Sequence, residues 1–220
     1  MHKVLYIGSG NSALLSKQID VSKFTTVCVN NAWRIFENSS VDYWLHSGDF
    51  PRENHPTKRN FVHEISYQQY EPAIERISPK LNLQASRAKF DVGYTIFFQG
   101  LYWCMEVLQP AEIYVLGFDH DYNPDKTQKW IEQGKPTPQN GFLRDNKDES
   151  IKAWSERVYQ EYKPDFFYGH GTPDPLRLGA EHLQEKFKFA EHNATSLGVQ
   201  LYNASPIVSN INTFEKKLLV

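Results

Sequence analysis

A run of four apolar residues, Val4-Leu5-Tyr6-Ile7, stops abruptly at Gly8-Ser9-Gly10-Asn11-Ser12. No other stretch limits the fold so sharply. A run that is apolar at every position suits a strand buried on both faces, as in a parallel sheet. The glycines then permit a tight turn into a helix. A helix start presents N–H groups and the positive end of its dipole to an anion. The stretch therefore predicts a strand–loop–helix unit that holds a phosphate. The same turn with no ligand is the alternative.

The remaining chain repeats the alternation. Ala13–Ile19 reads as a short helical segment, and residues 26–30 (TVCVN) as a second strand of β-branched character. Asn30-Asn31 opens a helical stretch near Ala32–Phe36. Val41–Leu45 is a third strand, ended by His46-Ser47-Gly48-Asp49, and Asn60–Ile65 a fourth. Helical patterning follows around Tyr70–Ile77. Phe97, Leu101, Cys104 and Leu108 recur on one face of a helix over residues 95–108. Leu183, Phe187, Ala190, Ala194 and Leu197 do so over 180–197. Strands at Glu112–Gly117 and Val199–Tyr202 follow these helices.

Such alternation predicts an α/β fold, a mostly parallel Rossmann-like sheet with helices on both faces. No linker divides the chain, so residues 1–220 read as a single domain. Residues 119–178 form a polar excursion rich in Pro, Gly, Asp and Lys. An excursion this long between core elements predicts a lid or an acceptor-binding insertion.

Small polar residues gather wherever a predicted strand ends: Gly8–Ser12, Asn30-Asn31, His46–Asp49, Asp119–Asn123 and Asn203–Ser205. Ligands of open α/β sheets bind outside the carboxyl ends of the strands. The pattern therefore predicts a polar ligand. A net charge of −2 supplies no whole-chain field for nucleic acid or anionic membrane. Residues 1–20 lack a basic start followed by an apolar core, and no apolar run approaches the roughly 20 residues that span a bilayer. Cys28 and Cys104 fall in a predicted strand and a predicted helix and read as buried free thiols. Together these features predict a cytoplasmic protein.

Several groups of residues bear on chemistry. Gly8 to Ala13 fits the dinucleotide fingerprint G-x-G-x-x-A, but Asn30-Asn31 stands where an NAD enzyme places an acid against the ribose. An NAD- or FAD-type oxidoreductase is therefore an alternative rather than the first reading. No Gly-Lys-Ser/Thr sequence is present, which excludes an ordinary P-loop. Asp119 and Asp121 could hold Mn²⁺ or Mg²⁺ against a diphosphate, or serve as a capping acid and a solvent-facing one. The cofactor-free reading is favoured, with no metal required. His170, flanked by Gly169 and Gly171, has close access and a ring that titrates near neutrality, as a general base must. A surface-loop histidine is the alternative. His46, at a strand end, reads as structural, with a ring facing the ligand as the alternative, and Lys216-Lys217 is too small a basic patch to argue a partner.

In their order, these motifs resemble the bacterial sialyltransferases of glycosyltransferase family 42. The GSGNS loop resembles that family's opening G-N-G-P-S loop, and Val29-Asn30 its C-N pair on the second strand. Thr95 to Asp119 resembles its T-S-G helix leading into E-I-Y-L-S-G-I-D, although Ile96-Phe97 stands in place of Ser-Gly. Residues 168–174 (YGHGTPD) resemble its Y-I-G-H segment, and Leu201 to Pro206 its closing L-Y-x-x-x-P. The resemblance covers most of the chain.

The resemblance implies a single-domain fold of the GT-A-variant type with a lid. It also implies metal-independent, inverting transfer from CMP-sialic acid to an acceptor hydroxyl, and the departure at Ile96-Phe97 widens the expected donor to a CMP- or UDP-linked sugar. His170 would be the catalytic base. Gly8, Ser9, Asn11 and Asn30 would hold the nucleotide, Thr95 would lie near the donor, and Tyr122 would replace a metal at the leaving phosphate. Gly10, Ser12, Asn31 and Asp119, at the same strand ends, complete the expected donor site. The implied acceptor is a glycan. A hydroxymethylated base in phage DNA is a further expectation, and a non-catalytic nucleotide-binding module is the remaining alternative.

Overall fold

Val4, Leu5, Tyr6 and Ile7 have no exposed surface, as a strand apolar on both faces requires. In the computed structural model, which describes residues 1–36, 38–93, 95–118, 181–206, 209 and 211–219, this strand is β1 (Lys3–Ile7). It lies fourth from one edge of a seven-stranded sheet. The others are β2 (Thr25–Val29), β3 (Val41–Leu45), β4 (Phe61–Ile65), β5 (Glu112–Leu116), β6 (Gln200–Asn203) and β7 (Glu215–Lys216). Their order is β4-β3-β2-β1-β5-β6-β7, and every pair is parallel. The fold is α/β, as the alternation predicts.

The register is pinned by side chains as well as by the ladder. Asp42 on β3 accepts from both the backbone N–H and the hydroxyl of Thr26 on β2, at 2.7 and 2.8 Å. The Thr26 hydroxyl accepts in turn from the Asp42 N–H. A one-residue slip would break all three bonds and turn every apolar side chain to the wrong face.

The two faces are covered differently. On one pack α1 (Tyr67–Ile77), α2 (Ala88–Val92), α3 (Ile96–Trp103) and α4 (Glu181–Ser196), around Val4, Tyr6, Val27, Val115 and Leu201. The sequence pattern places one helix over residues 95–108, but its last turn, Cys104–Leu108, is π-helical. On the other face, among the described residues, the cover is made of 3-10 turns. These are Asn11–Lys17, Val21–Lys23 and Asn30–Phe36, packed against Leu5, Ile7, Cys28 and Trp44. Serine chemistry accounts for the tighter winding of the first: the Ser16 hydroxyl bonds the Ala13 carbonyl at 2.7 Å, competing with the helical ladder.

Cys28 and Cys104 are both buried and unpaired, and burial pushes both thiols well up from their ordinary range. No helix among the described residues is long and apolar enough to cross a membrane. The 119–178 insertion lies outside the described residues.

Candidate functional site

All seven strands run the same way, so their carboxyl ends share one edge. The chain order reverses direction between β1 and β5. That is a switch point, the place on the edge where ligands of open α/β sheets bind. The loop after β1 carries Gly8 to Ser12, and the loop after β5 carries Gly117 and Phe118.

These two loops cross in direct backbone contact. Gly8 N–H donates to Leu116 O at 2.8 Å, and Gly10 N–H to Gly117 O at 2.6 Å. Gly117 N–H donates to the Ser12 hydroxyl at 2.8 Å. A Cβ on Gly8 would lie 2.5 Å from Gly117 O and 2.6 Å from the Phe118 ring. One on Gly117, whose φ is +74°, would lie 2.5 Å from Gly8 O. Both positions require glycine for the crossing itself. The Gly8 and Gly10 amides are thus engaged in closing the fold. Toward a ligand the loop offers Ser9 and Asn11, whose amides have no partner among the described residues.

Asn30 follows β2 in the left-handed region, with φ of 45°. Its carbonyl accepts from the Trp44 indole at 2.9 Å, and its side-chain oxygen from the Ser47 N–H at 3.1 Å. It therefore ties the end of β2 to the end of β3, while its Nδ2 has no partner among the described residues. Asn31 is buried, and its oxygen accepts from the Arg34 guanidinium at 3.0 Å.

Thr95 caps the head of α3. This helix leads into β5 and so starts at the carboxyl edge. The Tyr6 hydroxyl confirms the placement, donating to the carbonyls of Ile96 and Phe97 at 2.8 and 3.0 Å. Phe97 and Phe118 pack edge to face at 4.7 Å, and Phe118 stacks on Tyr6 at 4.8 Å. The Thr95 backbone is extended, as a cap requires, yet its hydroxyl makes no cap bond. That oxygen is buried without a hydrogen-bond partner among the described residues. Two residues earlier, Gly93 turns the chain at φ +118°, where a Cβ would strike the Phe98 ring.

Sequence reasoning places Gly8–Ser12, Asn30 and Asn31 at one sheet edge, and there they lie; Thr95, near the donor by the family resemblance, stands at the head of α3 on the same edge. His170, Asp119, Asp121 and Tyr122 lie outside the described residues, and no metal-binding cluster of three ligands exists among the described ones. His46 follows β3 at the same edge. Its two ring nitrogens face the Ser47 carbonyl and the Glu64 carboxylate, each at 3.2 Å. Its ring packs on Trp44 and on His55, at 4.7 and 4.9 Å. With both nitrogens occupied, His46 positions the β3–β4 loop and offers no open site for proton transfer. Lys217 has an internal role, its ammonium 3.9 Å from the Tyr202 ring centre and 3.8 Å from Glu112.

The sequence did not reveal that the Ser12 hydroxyl and the Tyr6 hydroxyl serve this edge. Their partners lie 105, 90 and 91 residues away, and only a serine inside a glycine-rich turn hinted at one of them.

No family model matches the chain, and no curated protein matches it. Two solved structures are similar in fold. One is the sialyltransferase CST-II in complex with a trisaccharide acceptor and CMP. It is 14% identical, with a TM-score of 0.48 over 99% of this chain and 86% of that one. The other is CstII from Campylobacter jejuni in complex with the substrate analogue CMP-3FNeuAc. It is 16% identical, with a TM-score of 0.47 over 100% of this chain and 87% of that one.

Proposed function

We propose that this chain is a glycosyltransferase that moves a sugar from a CMP- or UDP-linked donor to an acceptor hydroxyl, with inversion and without a metal. The observation that carries the reading is the Thr95 hydroxyl. It is buried with no partner among the described residues, a state that costs about 1–3 kcal/mol unless a partner arrives. It stands at a helix head, on the edge that carries the unpartnered groups of Asn11 and Asn30. A polar, phosphate-bearing ligand fits that set. The order of motifs along the sequence, which resembles family 42, points to a nucleotide sugar in particular.

In this mechanism the acceptor oxygen bonds to the anomeric carbon as the bond from that carbon to the phosphate oxygen breaks. His170 takes the acceptor proton. The Ser9 and Asn11 amides and the head of α3 meet the charge growing on the leaving phosphate, and the Tyr122 hydroxyl adds a donor. Asn30, at the end of β2, meets the nucleoside. The NAD reading is disfavoured at that residue, because an amide already tied to Ser47 stands where a ribose-binding acid belongs.

The test is nucleotide release from CMP-sialic acid and from a UDP-hexose panel. His170→Ala should lower turnover by about 10²–10⁴-fold while nucleotide affinity stays within a factor of about two. Unchanged turnover would remove His170 from the reaction.

A further inference from the structure

The ties that hold Asn30 come from the end of β3. The Trp44 indole N–H donates to its carbonyl, and the Ser47 N–H to its Oδ1. An amide whose oxygen is engaged in this way turns its N–H₂ group toward a ligand. The Ser47 bond therefore decides which way the Asn30 side chain faces. Whatever fixes Ser47 acts on the ligand through it.

Ser47 is fixed through its carbonyl. That oxygen accepts from the Phe50 N–H at 3.1 Å, which closes a turn. His46 Nδ1 lies 3.2 Å from the same oxygen, and its Nε2 lies 3.2 Å from Oε1 of Glu64 on β4. A carbonyl and an ionised carboxylate only accept, whereas a neutral imidazole carries a single N–H. The neutral ring can meet one of these oxygens and must turn a lone pair toward the other. An imidazolium meets both. The side chain is only 12% exposed, so the ring cannot exchange these oxygens for water. Trp44, whose indole holds Asn30, packs against it at 4.7 Å. Among the described residues, the titratable groups in contact with the ring are Glu64 and His55. Glu64 favours a positive charge on it. His55, 4.9 Å away between Trp44 and Phe50, opposes one when itself protonated.

We propose that His46 is a positioning residue for nucleotide binding: as an imidazolium bridging Glu64 and the Ser47 carbonyl, it holds the Ser47 N–H against Asn30 and so aims the Asn30 amide at the ligand. The proposal rests on the nucleotide site given above. When the ring loses a proton to solvent, the bond to the carboxylate is the stronger and is kept. The Nδ1 lone pair then faces the Ser47 oxygen, the turn is pushed off Asn30, and nucleotide affinity falls as pH rises.

The test is the affinity of wild type, His46→Phe and Glu64→Gln for CMP and UDP between about pH 6 and 8, by calorimetry. His46→Phe keeps the ring packing and cannot titrate, so the ratio of wild type to this variant cancels the ionisation of the nucleotide phosphate. Wild type should bind about fivefold tighter than His46→Phe at the acid end, the worth of one net hydrogen bond, and no tighter at the alkaline end. Glu64→Gln should keep the tighter binding throughout, because its amide can donate to a neutral Nε2 while the Nδ1–H stays on Ser47. A constant ratio of wild type to His46→Phe would overturn the proposal, as would Glu64→Gln with the pH dependence of wild type. Wild type that binds no nucleotide at any pH would sink the donor reading instead. The NMR signal of the Asn30 side-chain amide, read without nucleotide, then decides the role of His46. It should move with pH in wild type and stay fixed in Glu64→Gln, and an Asn30 amide indifferent to pH in both would overturn the proposal.

Discussion

Single residues decide whether the carboxyl edge exists in its observed form. Gly8 and Gly117 permit the two loops to cross, and a methyl group at either meets backbone oxygen at 2.5 Å. Gly8→Ala should lower stability by about 1–3 kcal/mol, read as a lower midpoint in urea with an unchanged slope. Thr95 should respond the other way. Thr95→Val keeps the shape and removes a buried hydroxyl that bonds nothing among the described residues, so the unliganded protein should gain up to about 1 kcal/mol while nucleotide binding weakens. A variant that lost stability would mean that the hydroxyl serves the fold. These residues were unequally legible. Asn30 and the Gly8–Ser12 loop announce themselves as small polar residues after apolar runs. Thr95 was visible only through the family resemblance, since a threonine before an apolar helix usually reads as a cap, and here the cap bond is missing.

Among elements, the helices stand on a few specific ties. Tyr102 of α3 accepts from the Asn193 amide of α4 at 2.7 Å, and both side chains are buried. Tyr102→Phe strands that amide and should cost about 1–3 kcal/mol in chemical denaturation. At the head of α1, the Gln69 side chain accepts from the Ser66 N–H at 2.8 Å, half of a capping box. Strands β1, β2, β3 and β5 were legible because each is a short apolar or β-branched run closed by turn residues. β7 was not. Glu215 and Lys216 are both exposed, and only register against β6 makes them a strand. The 3-10 winding of Asn11–Lys17 was equally hidden, because the Ser16 hydroxyl bond that competes with its ladder leaves no pattern in the sequence.

For the whole molecule, the parallel sheet divides labour between its two ends. At the amino end, Glu112 accepts from the Tyr114 hydroxyl and pairs with Lys3 at 3.1 Å and Lys217 at 3.8 Å. The Tyr114 bond first, and then the lysines, hold its carboxyl below the usual range. A depressed carboxyl stabilises the fold above its unfolded pKa, about 4, and that contribution is lost as pH falls through the lower folded value. Glu112→Gln should therefore flatten the acid limb of stability against pH, with little change in slope near neutrality. At the carboxyl end, the central claim is that the edge between β1 and β5 receives the nucleotide of a sugar donor. Thermal denaturation of wild type and Thr95→Val with CMP, UDP and NAD tests this most directly. At about 100 times its dissociation constant, CMP or UDP should raise the wild-type midpoint by roughly 5–10 °C, with a smaller rise in Thr95→Val and none from NAD. A rise with NAD alone, or with none of the three, would contradict the account.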